Sequence, residues 1–444
     1  MVADRLHAEL LRPCTGFLPA VIVFADMPEP NVWIPRGHGF GTIPKLADRN
    51  SCGSFIEGRV IVTFLGQSDR TGKEIPVHTP QTHIRTVKVS GYKSLRNAQI
   101  ELTSLNVLIG ANGSGKSNFA SLFEFLAASL DAELDGYVGR TGGPDSILFQ
   151  GAKTTDEIAA AVTVSTVAGT GTLHQRCAFK PPDSLFYSGN HAGRPTNVDR
   201  SDELAIDDLC SVIKHDGAGH PGHLIYESLK SRTFRLHLRD TSLNSPIRTE
   251  CYIEDNQRLY SNGGNLAAML YLIKQTEPKV FERIRSTIRR VVPGFDEFVL
   301  EPKRLNPKNI LLNWKQTGSD YILGPHQISD GSLRSMALVT LLLQSGSGLP
   351  DLIVLDEPEL GLHPHAASMI AGLIRAASVR SQVVVCTQSP TFVDEFSPEE
   401  VIVAETRDRE SQFRRLDPES LRSWLEDYSL GELWQKNVIG GGPV

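Results

Sequence analysis

GANGSGKS at 110–117 and LIVLDEPELGLHP at 352–364 decide the fold, and they stand about 240 residues apart in a chain of 444. The first fits the phosphate-loop pattern GxxxxGKS/T. Its glycines let successive backbone N–H groups turn inward on phosphates, Lys116 neutralises the β and γ phosphates, and the Ser117 hydroxyl can hold Mg²⁺. Before the loop, LNVLI at 105–109 is a short apolar run with β-branched content. After it, Phe119, Leu122, Phe123, Leu126 and Leu130 recur at helical spacing. The order strand, glycine turn, helix is the setting such a loop requires, because the helix N-terminus adds its positive end to the phosphate site.

The second segment supplies what a phosphate loop lacks. Val354 and Leu355 belong to a buried strand that ends in Asp356 and Glu357, so both carboxylates emerge at the carboxyl edge of a parallel sheet, where the phosphates lie. Asp356 suits Mg²⁺ contact, and Glu357 suits the orienting of an attacking water for in-line transfer. The nucleotide-contacting set is then Gly110, Ala111, Asn112, Gly113, Ser114, Gly115, Lys116, Ser117 and Asn118, with Ser117 and Asp356 toward the metal. A third element, HQISDGSLRSMALVTLL at 326–342, places a Ser-Asp-Gly turn before a helix with Leu333, Met336, Ala337 and Leu341 on one face. Its exposed N-terminus is an anion site.

With these segments in view, the chain resembles the RecF/SMC-like branch of ATP-binding-cassette ATPases, and in particular a group of bacterial predicted AAA-family ATPases. The resemblance rests on IRTVKVSGYKSLRNAQIEL (84–102), the phosphate loop, DNQRLYSNGGNLAAMLYLIK (255–274), ISDGSLR (328–334), DEPELGLHP (356–364), TQSP (387–390) and YSLGELWQKNVIGGGP (428–443). It implies an α/β P-loop NTPase, an ATPase head whose two halves are separated by a mixed β/α insertion. It also implies that the signature turn Ser329, Asp330, Gly331 and Ser332 of one subunit closes over nucleotide held by another, with Ser329 and Gly331 acting in trans. Asp330 stands where transporter cassettes have the first glycine of LSGGQ, which favours this branch over transporters. The switch position, histidine in many cassettes, is Gln388 here; it can hydrogen-bond a γ phosphate or water but cannot take up charge as imidazole can, so slow turnover is expected. Gln150 is the well-spaced candidate for the glutamine loop that contacts Mg²⁺, with an ordinary loop residue as the other reading.

The boundaries that follow are an N-terminal stretch 1–82, a first ATPase half 83–150, an insertion 151–324 and a second half 325–444. The first stretch is rich in Pro, Gly and unpaired polar residues without a sustained period. It reads as poorly ordered, with a later start at Met27 or near Val77 as an alternative. FLPAVIVFA at 17–25 is too short to span a membrane and reads only faintly as a signal peptide. The six cysteines show no CxxC pair and read as free thiols in a reducing, cytoplasmic setting. His363 and His365 flank Pro364 as loop residues. Sustained a/d heptads are missing, so coiled-coil arms are not expected. The formal net charge of −6 gives no vote for nucleic acid. The arginines 283, 285, 289 and 290 read as a solvated helix face, although a local basic track stays open. About 55 residues follow Gln388, too few for a Toprim-type nuclease domain.

The residues predict a Mg²⁺-dependent ATPase with Glu357 catalytic, and the resemblance implies that it dimerises around ATP with Gln388 sharing the catalysis. The resemblance adds DNA maintenance or anti-phage defence with an effector protein. The alternative is a scaffold that binds ATP without hydrolysing it.

Overall fold

The computed structural model describes residues 82–442 apart from 131–132, 167–168, 182–183, 194–225, 227, 230–231, 237, 239 and 346–347, together with three short strands upstream. Those strands, Ile22–Val23, Val32–Arg36 and Gly39–Thr42, pair antiparallel within a separate unit, Met1–Val77. The expectation of poor order over 1–82 and the alternative starts otherwise lie outside the described residues.

The second unit, His78–Val444, opens with an antiparallel hairpin, β1 (Thr82–Tyr92) and β2 (Leu95–Glu101), in which the alternate residues Val87, Val89, Ala98 and Ile100 are buried. It leads into β3 (Leu105–Ile109), the phosphate loop and α1 (Lys116–Leu130). Helix α1 forms because Phe119, Leu122, Phe123 and Leu126 fall on one stripe. All four are essentially inaccessible, each contributing about 1.5–3 kcal/mol of burial. After α2 (Leu134–Arg140) the chain returns to the hairpin. β4 (Glu157–Thr166) pairs with β1, and β5 (Gly169–Lys180) and β6 (Ser184–Gly193) extend a five-stranded antiparallel sheet. The residues expected as one insertion thus fall in several places: 157–193 in this sheet, β7 (Thr233–Leu236) in the main sheet, and α3 (Leu266–Thr276), α4 (Pro278–Val291) and two small antiparallel sheets packed into the same hydrophobic core as the distal helices.

The distal half holds α5 (Asp330–Leu343), β8 (Leu352–Asp356), α6 (Pro364–Ser378), β9 (Gln382–Thr387), β10 (Val401–Arg407), β11 (Glu410–Arg415) and α7 (Leu430–Gln435). The main sheet runs β7-β8-β9-β3-β10-β11, parallel except for the last pair. Period-two alternation gives it two apolar faces. Val107, Ile353, Leu355, Val383, Val385 and Val403 pack with α5 and α6, while Leu108, Val354, Val384 and Ile402 pack with α1 and the antiparallel sheet. Such burial on both faces makes these strands near-continuous runs of Val, Ile and Leu.

Candidate functional site

Strand register assembles the site. β9 lies between β3 and β8, with Thr387 opposite Ile109 and Cys386 opposite Asp356. The three strands therefore end level, and Gly110, Glu357 and Gln388 leave the same sheet edge together. A crevice at the carboxyl ends of parallel strands is where this class of sheet takes ligands.

In the phosphate loop, Gly113 (φ 83°) and Gly115 (φ 99°) occupy the left-handed region, which an L-residue enters only with strain. A β-carbon on Gly115 would stand 2.0 Å from Ser411 Oγ, so this glycine is fixed by space as well as by backbone. Lys116, 6% exposed, donates from Nζ to the carbonyls of Gly110 (2.6 Å) and Ala111 (3.0 Å). Burial lowers its pKa, opposed by acidic groups that include Glu357 and Asp356. The Asn118 amide donates to Ser94 Oγ at 2.7 Å, tying α1 to the turn between β1 and β2, and Thr406 Oγ1 donates to Gly113 O at 3.1 Å.

Ser117 Oγ lies 3.4 Å from Asp356 Oδ1. A hydroxyl and a carboxylate on facing elements are hard oxygen donors, which fits Mg²⁺ completed by phosphate oxygens and water. Among the described residues no group of three or more His, Cys, Asp or Glu could hold a metal ion. Asp356 has a second partner that the sequence reading missed. Arg235 of β7, 9% exposed, pairs with Asp356 Oδ2 (3.2 Å) and with Glu124 of α1 (2.9 Å). One arginine inside the apolar strand TFRL was the available signal, because a buried charge needs a partner.

Glu357 follows Asp356 at φ 52°, a left-handed conformation that costs a non-glycine residue of the order of 1–3 kcal/mol and clusters at functional sites. Its N–H donates to Cys386 O (2.8 Å), and Gln388 Nε2 donates to its Oε1 (2.6 Å). The expected pair is therefore in direct contact. Glu359, also missed, accepts from Thr387 Oγ1 while its Oε2 is buried without a partner. Burial pushes its carboxyl up to about 7. Because the folded pKa is raised, the group's contribution to stability is fully present below the unfolded value of about 4.3 and is lost as pH rises through about 7. Glu359→Gln should then raise the thermal midpoint at pH 8 more than at pH 4.5, with a ceiling of about 3 kcal/mol. Equal shifts at both pH values would show that the carboxyl titrates normally.

Ser329 caps α5, its Oγ accepting from Ser332 N at 3.2 Å. Beneath the turn lies Arg248, 3% exposed, another residue missed from sequence. It donates to the carbonyls of Pro325, Ile328 (2.9 Å) and Thr241 (2.7 Å) and pairs with Asp330 (2.6 Å). Gly331 meets the loop after Glu357: a β-carbon there would lie 2.1 Å from Gly361 O, and Arg334 donates to Leu238 O (2.9 Å) and Leu360 O (3.2 Å). Signature, β7 and the post-carboxylate loop are one connected assembly.

The glutamine-loop candidate is Gln150. It is exposed at φ 57° between α2 and β4, in a loop whose bonds run to Gly91 and Asp145, and no described hydrogen bond joins it to the phosphate loop or Asp356. The strand flanking β8 is β7. His363 caps α6 by accepting from His365 N (3.3 Å). On α4, Arg283 donates to Leu343 O, and Arg285 and Arg289 pair with Glu282 and Asp296, which supports the solvated-face reading. Cys177, Cys251 and Cys386 are free thiols; the other three cysteines lie outside the described residues. No helix among the described residues is long and apolar enough to cross a membrane.

A family model described as "AAA domain, putative AbiEii toxin, Type IV TA system" matches residues 105–394, more than half of the chain. A "putative ABC transporter ATP-binding protein" of Geobacter sulfurreducens is 45% identical over 51 residues, 12% of this chain and 19% of that protein. The chain thus spans about one fifth of the length of the curated relative it matches. A solved SMC head bound to the C-winged helix domain of ScpA superposes with a TM-score of 0.54 at 15% identity, covering 77% of this chain and 99% of the other. The head with an extended coiled coil bound to the C-terminal domain of ScpA, from Pyrococcus furiosus, gives 0.52 at 16%, covering 78% and 99%. At these identities the likeness is one of fold: the α/β P-loop ATPase head expected from the sequence.

Proposed function

The chain belongs to the AAA-domain family whose model spans residues 105–394, and from that membership we propose that it is an ATP-hydrolysing switch that dimerises around ATP. The observation that carries this reading is the 2.6 Å bond from Gln388 Nε2 to the Glu357 carboxylate, at the sheet edge shared with the phosphate loop. Backbone N–H groups of 111–117 and the N-terminus of α1 bind the phosphates, and Lys116 exchanges its carbonyl partners for β and γ phosphate oxygens. Bound Mg²⁺ supplies charge neutralisation on those oxygens, and Ser117 and Asp356 are the residues that would hold it. Glu357 accepts a hydrogen bond from the attacking water and takes its proton. Gln388 fixes the orientation of that carboxylate, and as an amide it donates without titrating.

Ser329 and Gly331 of a second copy close the site over the γ phosphate, so that binding favours the dimer and cleavage releases it. Trans action has a complementation test. Lys116→Ala and Ser329→Arg proteins, each inactive alone, should regain part of the parent's ATPase rate when mixed, because one composite site is then intact; no recovery would contradict closure in trans. Beyond the catalytic cycle, we place the protein in the cytoplasm with a protein effector, in DNA maintenance or anti-phage defence. The toxin–antitoxin wording of the family description and the ScpA-bound heads of the fold relatives support a partnered role. Nucleic-acid contact, if made by the inserted residues, weakens steeply with salt, and salt-insensitive binding would remove it from this reading.

A further inference from the structure

Arg235 also lines a cleft of about 810 Å³ bounded by α1, α2, β7, the loop 257–262 and the end of α5. That volume falls within the roughly 300–1,000 Å³ of small-molecule sites. Four arginines line it, Arg140, Arg232, Arg235 and Arg258, against Glu124 and Glu133. Glu124 is already spent on Arg235, and Arg232 faces Asp351 at 2.9 Å. Arg140 and Arg258 are exposed and have no carboxylate partner among the described residues. In the walls, Arg235 Nε and Gln344 Nε2 are donors without an acceptor, on side chains 9% and 5% exposed.

The loop carrying Arg258 is built rather than loose. Asn265, fully buried, donates to Asp255 O and Arg258 O, each at 2.8 Å, and accepts from Tyr260 N at 2.7 Å. Gly263 at φ 70° packs where a β-carbon would stand 2.6 Å from Ile247. This gives NGGN a structural reason and holds Tyr260, 42% exposed, at the cleft.

We propose that this cleft is a second anion site, distinct from the phosphate loop, that takes a nucleoside phosphate. Guanidinium forks match phosphate oxygens, the Tyr260 ring offers a stacking face, and the Gln257 and Asn262 amides can bond base edges. Arg235 couples it to the ATP site: a phosphate that recruits this guanidinium draws it from Asp356, so occupancy changes the charge facing the metal position.

The test uses full-length Lys116→Ala protein, in which the phosphate loop is disabled, with ADP, AMP and pyrophosphate as probes in equilibrium dialysis. About one equivalent of ADP should still bind. Adding Arg140→Glu and Arg258→Glu should weaken it at least tenfold with the melting midpoint unchanged, since both side chains are exposed. No retention of any probe, or retention indifferent to the reversals, would overturn the site, and pyrophosphate binding as tightly as ADP would overturn the nucleoside assignment. Because the readout is binding without turnover, it is independent of the ATPase reading.

Discussion

Glu357→Gln is expected to keep ATP affinity within a few-fold of the parent while lowering turnover by at least about 10²-fold, the usual scale for loss of a positioned general base. Glu357 is held by its own N–H on Cys386 O and by the Gln388 amide. The isosteric amide keeps the shape of the site but removes the proton acceptor. Hydrolysis stalls after closure, and light scattering with ATP and Mg²⁺ should show a persistent dimer that the parent forms only transiently. A variant that turns over ATP at the parent's rate would remove Glu357 from the chemistry.

Arg248→Ala should have the largest structural effect. It deletes a buried guanidinium that gathers the carbonyls of Pro325, Ile328 and Thr241 and pairs with Asp330. Loss of one partner from such a network costs about 3–5 kcal/mol, because the remaining polar groups stay buried. The signature turn then loses its support while the phosphate loop, which Arg248 does not touch, is left alone. Thermal unfolding should shift sharply downward, and ATP-driven dimerisation should fail at temperatures where the protein stays folded and still binds ATP. Unchanged stability would show that the turn is held by Ser329 capping alone.

The parts of the site legible in the sequence are those whose geometry is local. GANGSGKS must turn on its glycines, DE must follow its strand, and Ser329 must cap the helix it precedes, because covalent spacing sets each arrangement. The parallel strands β3 and β8 were readable as apolar runs, and the contact of Gln388 with Glu357 follows once β9 is known to lie between them. The roles of Arg235 and Arg248 were not legible, although the lone arginine in TFRL signalled a buried charge. Their partners lie far away in sequence, and among the described residues the four-residue strand that carries Arg235 joins the main sheet through its pairing with β8.

Steady-state phosphate release by the purified protein, with and without Mg²⁺, decides whether this sheet edge hydrolyses ATP. Mg²⁺-dependent turnover that Lys116→Ala abolishes is the expected result. Tight ATP binding with no phosphate released by the parent would contradict it and make the protein a scaffold that uses ATP to fix its shape.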